Sequence, residues 1–382
     1  MLILRGATIL TMVGEPFVGD LAIENGKIAA IGTHLPDNGA EVHDLTGKYL
    51  MPGIVDAHSH LGLFESGTRE TDHNERFDPI MPHLRGLDSV FAHDMGFAEA
   101  RSFGVTTSIT GPGSINLICG TFAAVKSYGS TVDEMLLDPC VAMKAALGEN
   151  PKFRYTEIGK SPKSRMCSAA LIRETILKAK EYAKKKEKLG EDAPFDFKME
   201  AMLPVLRREL PMKIHCHRAD DIATAIRIME EFGLRYTLDH CTEGYMIPEA
   251  LRSALEKNCE GIIIGPTMTR KLKLEQRYKL DTKTGKTLYD LGIPFAICTD
   301  WPESTHETLM LVAARSAAEG LPEDVALQAI TIQAARVVGL ADRIGSLEVG
   351  KDADVAVFTG YPLEYRSLCC ETYINGKLVY QR

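Results

Sequence analysis

Hydrophobic and polar positions follow two patterns along this chain, and the change from one to the other divides it. Residues 2–12, 21–31 and 49–51 read as short strands, and Asn25-Gly26 offers the positive φ that a tight hairpin needs. Residues 354–359 and 371–380 are again strand-like, with a second such turn at Asn375-Gly376. Neither terminal tract can bury a core alone, so residues 1–50 and 346–382 are expected to pair into one discontinuous β-sandwich. From 51 to 345 the pattern changes. Strand-like runs (105–109, a loosely placed 121–126, 261–265, 294–299) alternate with helical ones (89–103, 169–186, 222–232, 323–338). That alternation predicts an α/β fold with a parallel sheet and right-handed crossovers, and eight such units close into a (β/α)8 TIM-like barrel.

Several of the apolar runs end in side chains that carry chemistry. Met51-Pro52-Gly53-Ile54-Val55-Asp56-Ala57-His58-Ser59-His60 closes on two histidines spaced i, i+2, a spacing that puts both imidazoles on one side of a strand. Met212-Lys213-Ile214-His215-Cys216-His217, Leu234-Arg235-Tyr236-Thr237-Leu238-Asp239-His240 and Ile293-Pro294-Phe295-Ala296-Ile297-Cys298-Thr299-Asp300 repeat the design, and Val141-Ala142-Met143-Lys144 ends in a lysine. A single histidine on an apolar strand is more often a hydrogen-bonded core residue than a ligand. The recurrence in this order makes chance a poor explanation.

Composition narrows the picture. The 382 residues exceed the roughly 250 of a (β/α)8 barrel, which leaves room for one accessory domain, and 45% apolar content is ample for a large core. A net charge of −8 argues against nucleic acid or an anionic membrane as partner, and the basic run 178–188 reads as the wet face of a helix. The first residues lack the features of a secretion signal, and no apolar run approaches the roughly 20 residues of a membrane span. Nine cysteines without framework spacing read as reduced thiols, so a cytoplasmic enzyme is expected. Self-association into a homo-oligomer is left open.

The opening Pro52-Gly53-Ile54-Val55-Asp56-Ala57-His58-Ser59-His60, the strand-end Lys144, His215 and His240, the late Thr299-Asp300 and the tail Gly345-Ser346-Leu347-Glu348-Val349-Gly350-Lys351-Asp352-Ala353-Asp354 together resemble the amidohydrolase superfamily over nearly the whole chain. Within it, Lys144 and the segment Ala146-Leu147-Gly148-Glu149-Asn150-Pro151-Lys152 are similar to the imidazolonepropionase-like and Xaa-Pro dipeptidase-like branch. The resemblance implies that His58, His60, Lys144, His215, His240 and Asp300 meet at the C-terminal mouth of the barrel and hold metal, with zinc suited to imidazole and carboxylate ligands. Single-metal members carry a Glu three residues after the fifth-strand His, where this chain has Arg218. Lys144 instead favours two Zn(2+) ions bridged by a carboxylated lysine. Such a pair would ionise a water at neutral pH, while Asp300 took its proton and passed it to the leaving nitrogen.

The expected activity is therefore hydrolysis of a carbon–nitrogen bond in a small molecule: an amide, cyclic amide or N-acyl group. An Xaa-Pro-type dipeptidase is the alternative enzyme, and a metal-free scaffold barrel the alternative of another class. Arg154, with Tyr155 or His217, is a candidate clamp for a substrate carboxylate, although Arg154 reads equally well as a surface ion-pair residue. The charged loop 63–83 reads either as a lid or as solvated surface. Asp300 has a second reading too, as the cap of a following helix.

Overall fold

The computed structural model describes residues 1–64, 71–268 and 281–382. Part of the 63–83 loop, residues 65–70, lies outside them. Eight strands form the central sheet in chain order: Ile54–Ser59, Val105–Thr110, Ile118–Lys126, Leu136–Ala146, Met212–Cys216, Tyr236–His240, Cys259–Ile264 and Ala296–Ile297. The first and eighth meet at the mouth, where Asp300 N donates to His58 O at 3.0 Å and His60 N to Trp301 O at 2.8 Å. Beneath that seam, Thr299 N and its hydroxyl both donate to the Asp56 carboxylate.

The barrel departs from the expected all-parallel sheet at one strand. Ile118–Lys126 runs antiparallel to both of its neighbours. The connections on either side, 111–117 and 127–135, are too short for the crossover that parallel strands need, which takes a dozen residues or more. Strands two, three and four therefore form a meander, and Lys126 ends at the bottom of the barrel rather than at the mouth.

The helices pack by amphipathicity and stop at their caps. Arg165–Leu189 buries Ile172, Ile176, Ala179 and Tyr182 on one face, and Ser164 caps it by accepting from Cys167 N at 3.2 Å. Its lysines lie on the outer face, as the pattern indicated. The expected helix 323–338 is two helices, Glu323–Ala329 and Ile332–Val337. The break falls where Ile330 O accepts from Val55 N at 2.9 Å, so the first barrel strand takes a carbonyl that an unbroken helix would have used itself.

A second sheet is built from both termini. Its order is Lys377–Gln381, Cys369–Ile374, Val355–Phe358, Tyr49–Pro52, Leu2–Ile9, Phe17–Glu24 and Lys27–Gly32, with Glu41–Asp44 also paired to Leu2–Ile9. Leu4, Ile9, Leu21, Ile28 and Leu50 from one end of the chain share its core with Leu347, Val355, Val357 and Tyr373 from the other. Pro52-Gly53 passes the chain from this sheet into the barrel, and a side chain at Gly53 would put its Cβ 2.1 Å from Thr106 Oγ1. Only glycine fits there, because the backbone lies against the second strand.

Candidate metal centre

His58 and His60 come from the end of the first strand, Lys144 from the fourth, His215 from the fifth, His240 from the sixth and Asp300 from the turn after the eighth. All six are buried. The structure thus brings together every residue expected at the mouth, and the third strand adds Phe122 beneath them. The Phe122 ring centroid lies 5.2 Å from that of His58 and 5.3 Å from Lys144 Nζ.

Strand alternation explains part of this placement. His58 follows Asp56 at a spacing of two, and the sheet registers Lys213 beside Lys144 on neighbouring strands. It does not explain His240. On the sixth strand Tyr236 and Leu238 pack in the outer core with Ile228 and Leu251, whereas Asp239 reaches Lys213 and His58 inside the barrel. A regular strand would send His240 outward after Leu238. Its φ of 70° turns it into the mouth instead, and Asp300 sits at φ 54°. Left-handed backbone at non-glycine residues costs about 1–3 kcal/mol each and is found where a site demands it.

The hydrogen bonds around the imidazoles show what the site accepts. His58 Nδ1 lies 2.5 Å from Asp239 Oδ2, His60 Nδ1 2.7 Å from Gly111 O and His240 Nδ1 2.6 Å from Gly265 O. Carbonyls and carboxylates only accept, so each Nδ1 carries a proton, and in the neutral ring that binds metal each Nε2 presents a lone pair. His58 Nε2 and His60 Nε2 stand 3.4 Å and 3.2 Å from the same atom, Asp300 Oδ1. His240 Nε2 is buried without a hydrogen-bond partner. Lone pairs aimed at a carboxylate oxygen repel unless a cation stands between them, so this donor set fits a metal ion.

Burial draws the pKa values of His58 and Lys144 below their usual ranges and that of His240 down to about 3, so these groups tend to the neutral forms that bind metal or carbon dioxide. Burial opposes ionisation of Asp239, but Lys213 beside it outweighs burial and holds the carboxyl below the ordinary range. Lys144 Nζ lies 3.1 Å from His58 Nε2. The neighbouring Lys213 is engaged elsewhere, 3.0 Å from both Asp239 Oδ2 and Ala57 O. Of Lys144 and Lys213, it is Lys144 that faces the imidazoles.

The three residues expected to touch substrate lie apart from one another. Arg154 turns its guanidinium to Arg76 O at 3.3 Å, to Glu157 and to the face of Phe77, on the outer side of helix Glu149–Glu157. Tyr155 is fully buried and donates its hydroxyl to Asn116 Oδ1 at 2.6 Å. His217 stands inside the mouth, its ring centroid 4.7 Å from that of His215. Asp300 does not cap the following helix, which starts at Glu307 after His306. Arg218 pairs with Asp220 on the surface.

Beside the centre lies a cavity of about 560 Å³ lined by Leu63, Thr71, His73, Asn74, Asn116 and Cys119, among others. That volume suits a small molecule. His73 connects the cavity to the centre, since its ring centroid is 5.5 Å from that of His60 and its Nδ1 lies 2.6 Å from Thr71 Oγ1. Sequence reasoning missed His73, Asn116, Asp239 and Lys213. Asp239 was detectable as a carboxylate next to a strand-end histidine, but nothing local marked the other three.

A closed barrel with imidazoles, a carboxylate and a lysine converging on one mouth defines the metal-hydrolase class of (β/α)8 proteins. The chain belongs to the amidohydrolase family, whose model matches residues 49–379. It is similar to the crystal structure of an amidohydrolase from Thermotoga maritima MSB8, at 38% identity, with both chains covered completely and a TM-score of 0.96. Among curated relatives it is 27% identical over 391 residues to amidohydrolase tasK of Hapsidospora irregularis, covering 94% of this chain and 40% of that protein. It is 26% identical to the imidazolonepropionase of Brevibacillus brevis (strain 47 / JCM 6285 / NBRC 100599), covering 89% of this chain and 83% of that one. This chain therefore spans less than half the length of the tasK protein. Among the described residues, no helix is long and apolar enough to cross a membrane.

Proposed function

We propose that this protein hydrolyses a carbon–nitrogen bond of a small molecule, an amide, cyclic amide or N-acyl group, using two zinc ions bridged by carboxylated Lys144. The observation that carries the reading is the pair of imidazole lone pairs, on His58 and His60, facing one oxygen of Asp300, with the Lys144 amine 3.1 Å from His58. Ions held there supply Lewis acidity toward the scissile carbonyl and make a water acidic enough to react near neutral pH. Asp300 accepts the water's proton as the new carbon–oxygen bond forms. It then returns the proton to the nitrogen as the carbon–nitrogen bond breaks. Asp239 and Lys213 fix the ring of His58, and Phe122 keeps the floor of the site apolar. The cavity beside His73 and Asn116 receives the substrate. The nine free cysteines support a reducing, cytoplasmic setting.

The test is metal analysis and a substrate screen on protein reconstituted with zinc and bicarbonate. The reading expects close to two ions per chain and metal-dependent turnover of one class among cyclic amides, N-acyl amino acids and dipeptides, C-terminal proline included. Lys144→Ala should lose the paired site and regain part of its rate when short carboxylic acids are added. Full activity without metal would overturn the reading, and so would wild-type metal content and rate in Lys144→Ala.

A further inference from the structure

The mouth contains two arrangements of the same design. At one side, the i, i+2 pair His58 and His60 from the first strand meets Asp300 from the adjoining eighth. At the other, the i, i+2 pair His215 and His217 from the fifth strand meets His240 from the adjoining sixth. In each trio, the three atoms able to ligate a cation lie within 4.8 Å of one another, and all six residues are buried. The rings of His58 and His240, one from each trio, are 5.0 Å apart, so the trios share one chamber.

Building on the proposed function, we infer that His217 is a metal ligand, giving the second ion three imidazoles, rather than a contact for substrate. Three observations carry this. The spacing of two on a strand end directs His217 to the same side as His215, and their centroids are 4.7 Å apart. The His217 ring is stacked on that of His240 at 4.9 Å and 24°, so the two rings present their edges side by side to one point. Finally, His217 Nδ1 lies 2.8 Å from Thr242 Oγ1. With Nδ1 held by the hydroxyl, as Gly111 O and Gly265 O hold Nδ1 of His60 and His240, Nε2 is the nitrogen that would ligate the ion. A residue meant to grip a substrate carboxylate would be placed at the rim, whereas His217 is as deeply buried as His240.

The experiment loads apo protein with zinc, or with cobalt for its absorption spectrum, and compares wild type with His217→Phe, His217→Gln and Thr242→Val. Phenylalanine preserves the stack on His240, and glutamine guards against a variant that fails to fold. Wild type should bind two zinc ions, and both His217 variants should bind one of them at least about 10²-fold more weakly, with a changed cobalt spectrum. Thr242→Val, which removes only the hydroxyl that orients the ring, should weaken the same ion by about 10- to 100-fold. Variants that hold two ions with unchanged affinity and spectrum, and differ only by a raised KM, would overturn the assignment and return His217 to the substrate while leaving the proposed function intact. Wild-type protein that takes up no zinc would overturn both.

Discussion

Buried charge gathers at both ends of the barrel, and the two ends treat it differently. At the bottom, Lys126 from the reversed third strand reaches Asp352 Oδ2 at 3.0 Å and pairs closely with Asp354. Asp352 also receives Lys27 at 2.6 Å and Arg343 at 3.2 Å, while Asp354 Oδ1 accepts from Asn375 N at 3.0 Å. Every carboxylate oxygen there has a donor. At the mouth, imidazole lone pairs confront Asp300, and His240 Nε2 has no hydrogen-bond partner. Buried charge that closes on itself ties parts of a structure together, here the terminal sheet to the barrel. Buried charge left open is poised to take a cation. The tail motif ending in Asp352-Ala353-Asp354 thus acquires a physical role: its carboxylates anchor the C-terminal strands under the barrel.

The largest effect should come from emptying the open end. His58→Ala removes the residue that touches Asp239, Lys144 and Asp300 together, so metal should be lost and turnover should fall by at least about 10³, since a bound ion contributes several kcal/mol to such reactions. A large loss of stability without loss of metal would reverse the contrast between the two ends.

The closed end should respond the other way. Lys126→Met leaves two buried carboxylates without their shared cation, and breaking a buried pair in this manner costs about 3–5 kcal/mol. Urea unfolding should show that loss, while folded protein keeps its metal content. A variant that stays as stable as wild type but releases metal would assign Lys126 to the site instead.

Asp300→Asn makes a finer cut within the mouth. The amide keeps the size of the side chain and removes its basicity, so at least one ion should remain while the rate falls by about 10². A near-normal rate at saturating metal would move the proton-accepting role to another residue.

The smallest effect is a pH profile. Burial opposes ionisation of Asp352, yet Lys126, Lys27 and Arg343 hold its carboxyl below the ordinary aspartate range near pH 3.9. A group with a depressed folded pKa contributes stability that is fully present above its unfolded pKa and is lost as pH falls through the folded value. Wild type should therefore hold its stability down to about pH 4 and lose it below. Removing the Lys126 charge raises the folded Asp352 pKa toward its unfolded value, so Lys126→Met, less stable at neutral pH, should lose less stability on acidification than wild type. Denaturant midpoints measured across pH would show whether the two curves, apart at neutral pH, approach each other below about pH 4.

Most of the strand-end positions at the mouth and the overall barrel were legible because their signals are local. An apolar run ending in His-x-His fixes which side of a strand the rings occupy, and the alternation of strand with helix fixes the class of sheet. The reversed third strand could also have been read, from connections too short for a crossover on either side of it. The inward turn of His240 could not. Alternation alone sends that ring outward, and only a left-handed backbone, imposed by neighbouring strands, brings it to the mouth. The same holds for Asp239 with His58, for Tyr155 with Asn116 and for Lys126 with Asp352, pairs separated by 181, 39 and 226 positions. What the sequence determined by itself was the identity and order of the strand-end groups able to hold metal, since strand periodicity acts between neighbours in the chain. Which nitrogen of each imidazole is free, which lysine faces the centre and which charges cancel were decided only by the closed barrel, because those properties depend on groups that meet only when the first strand joins the eighth.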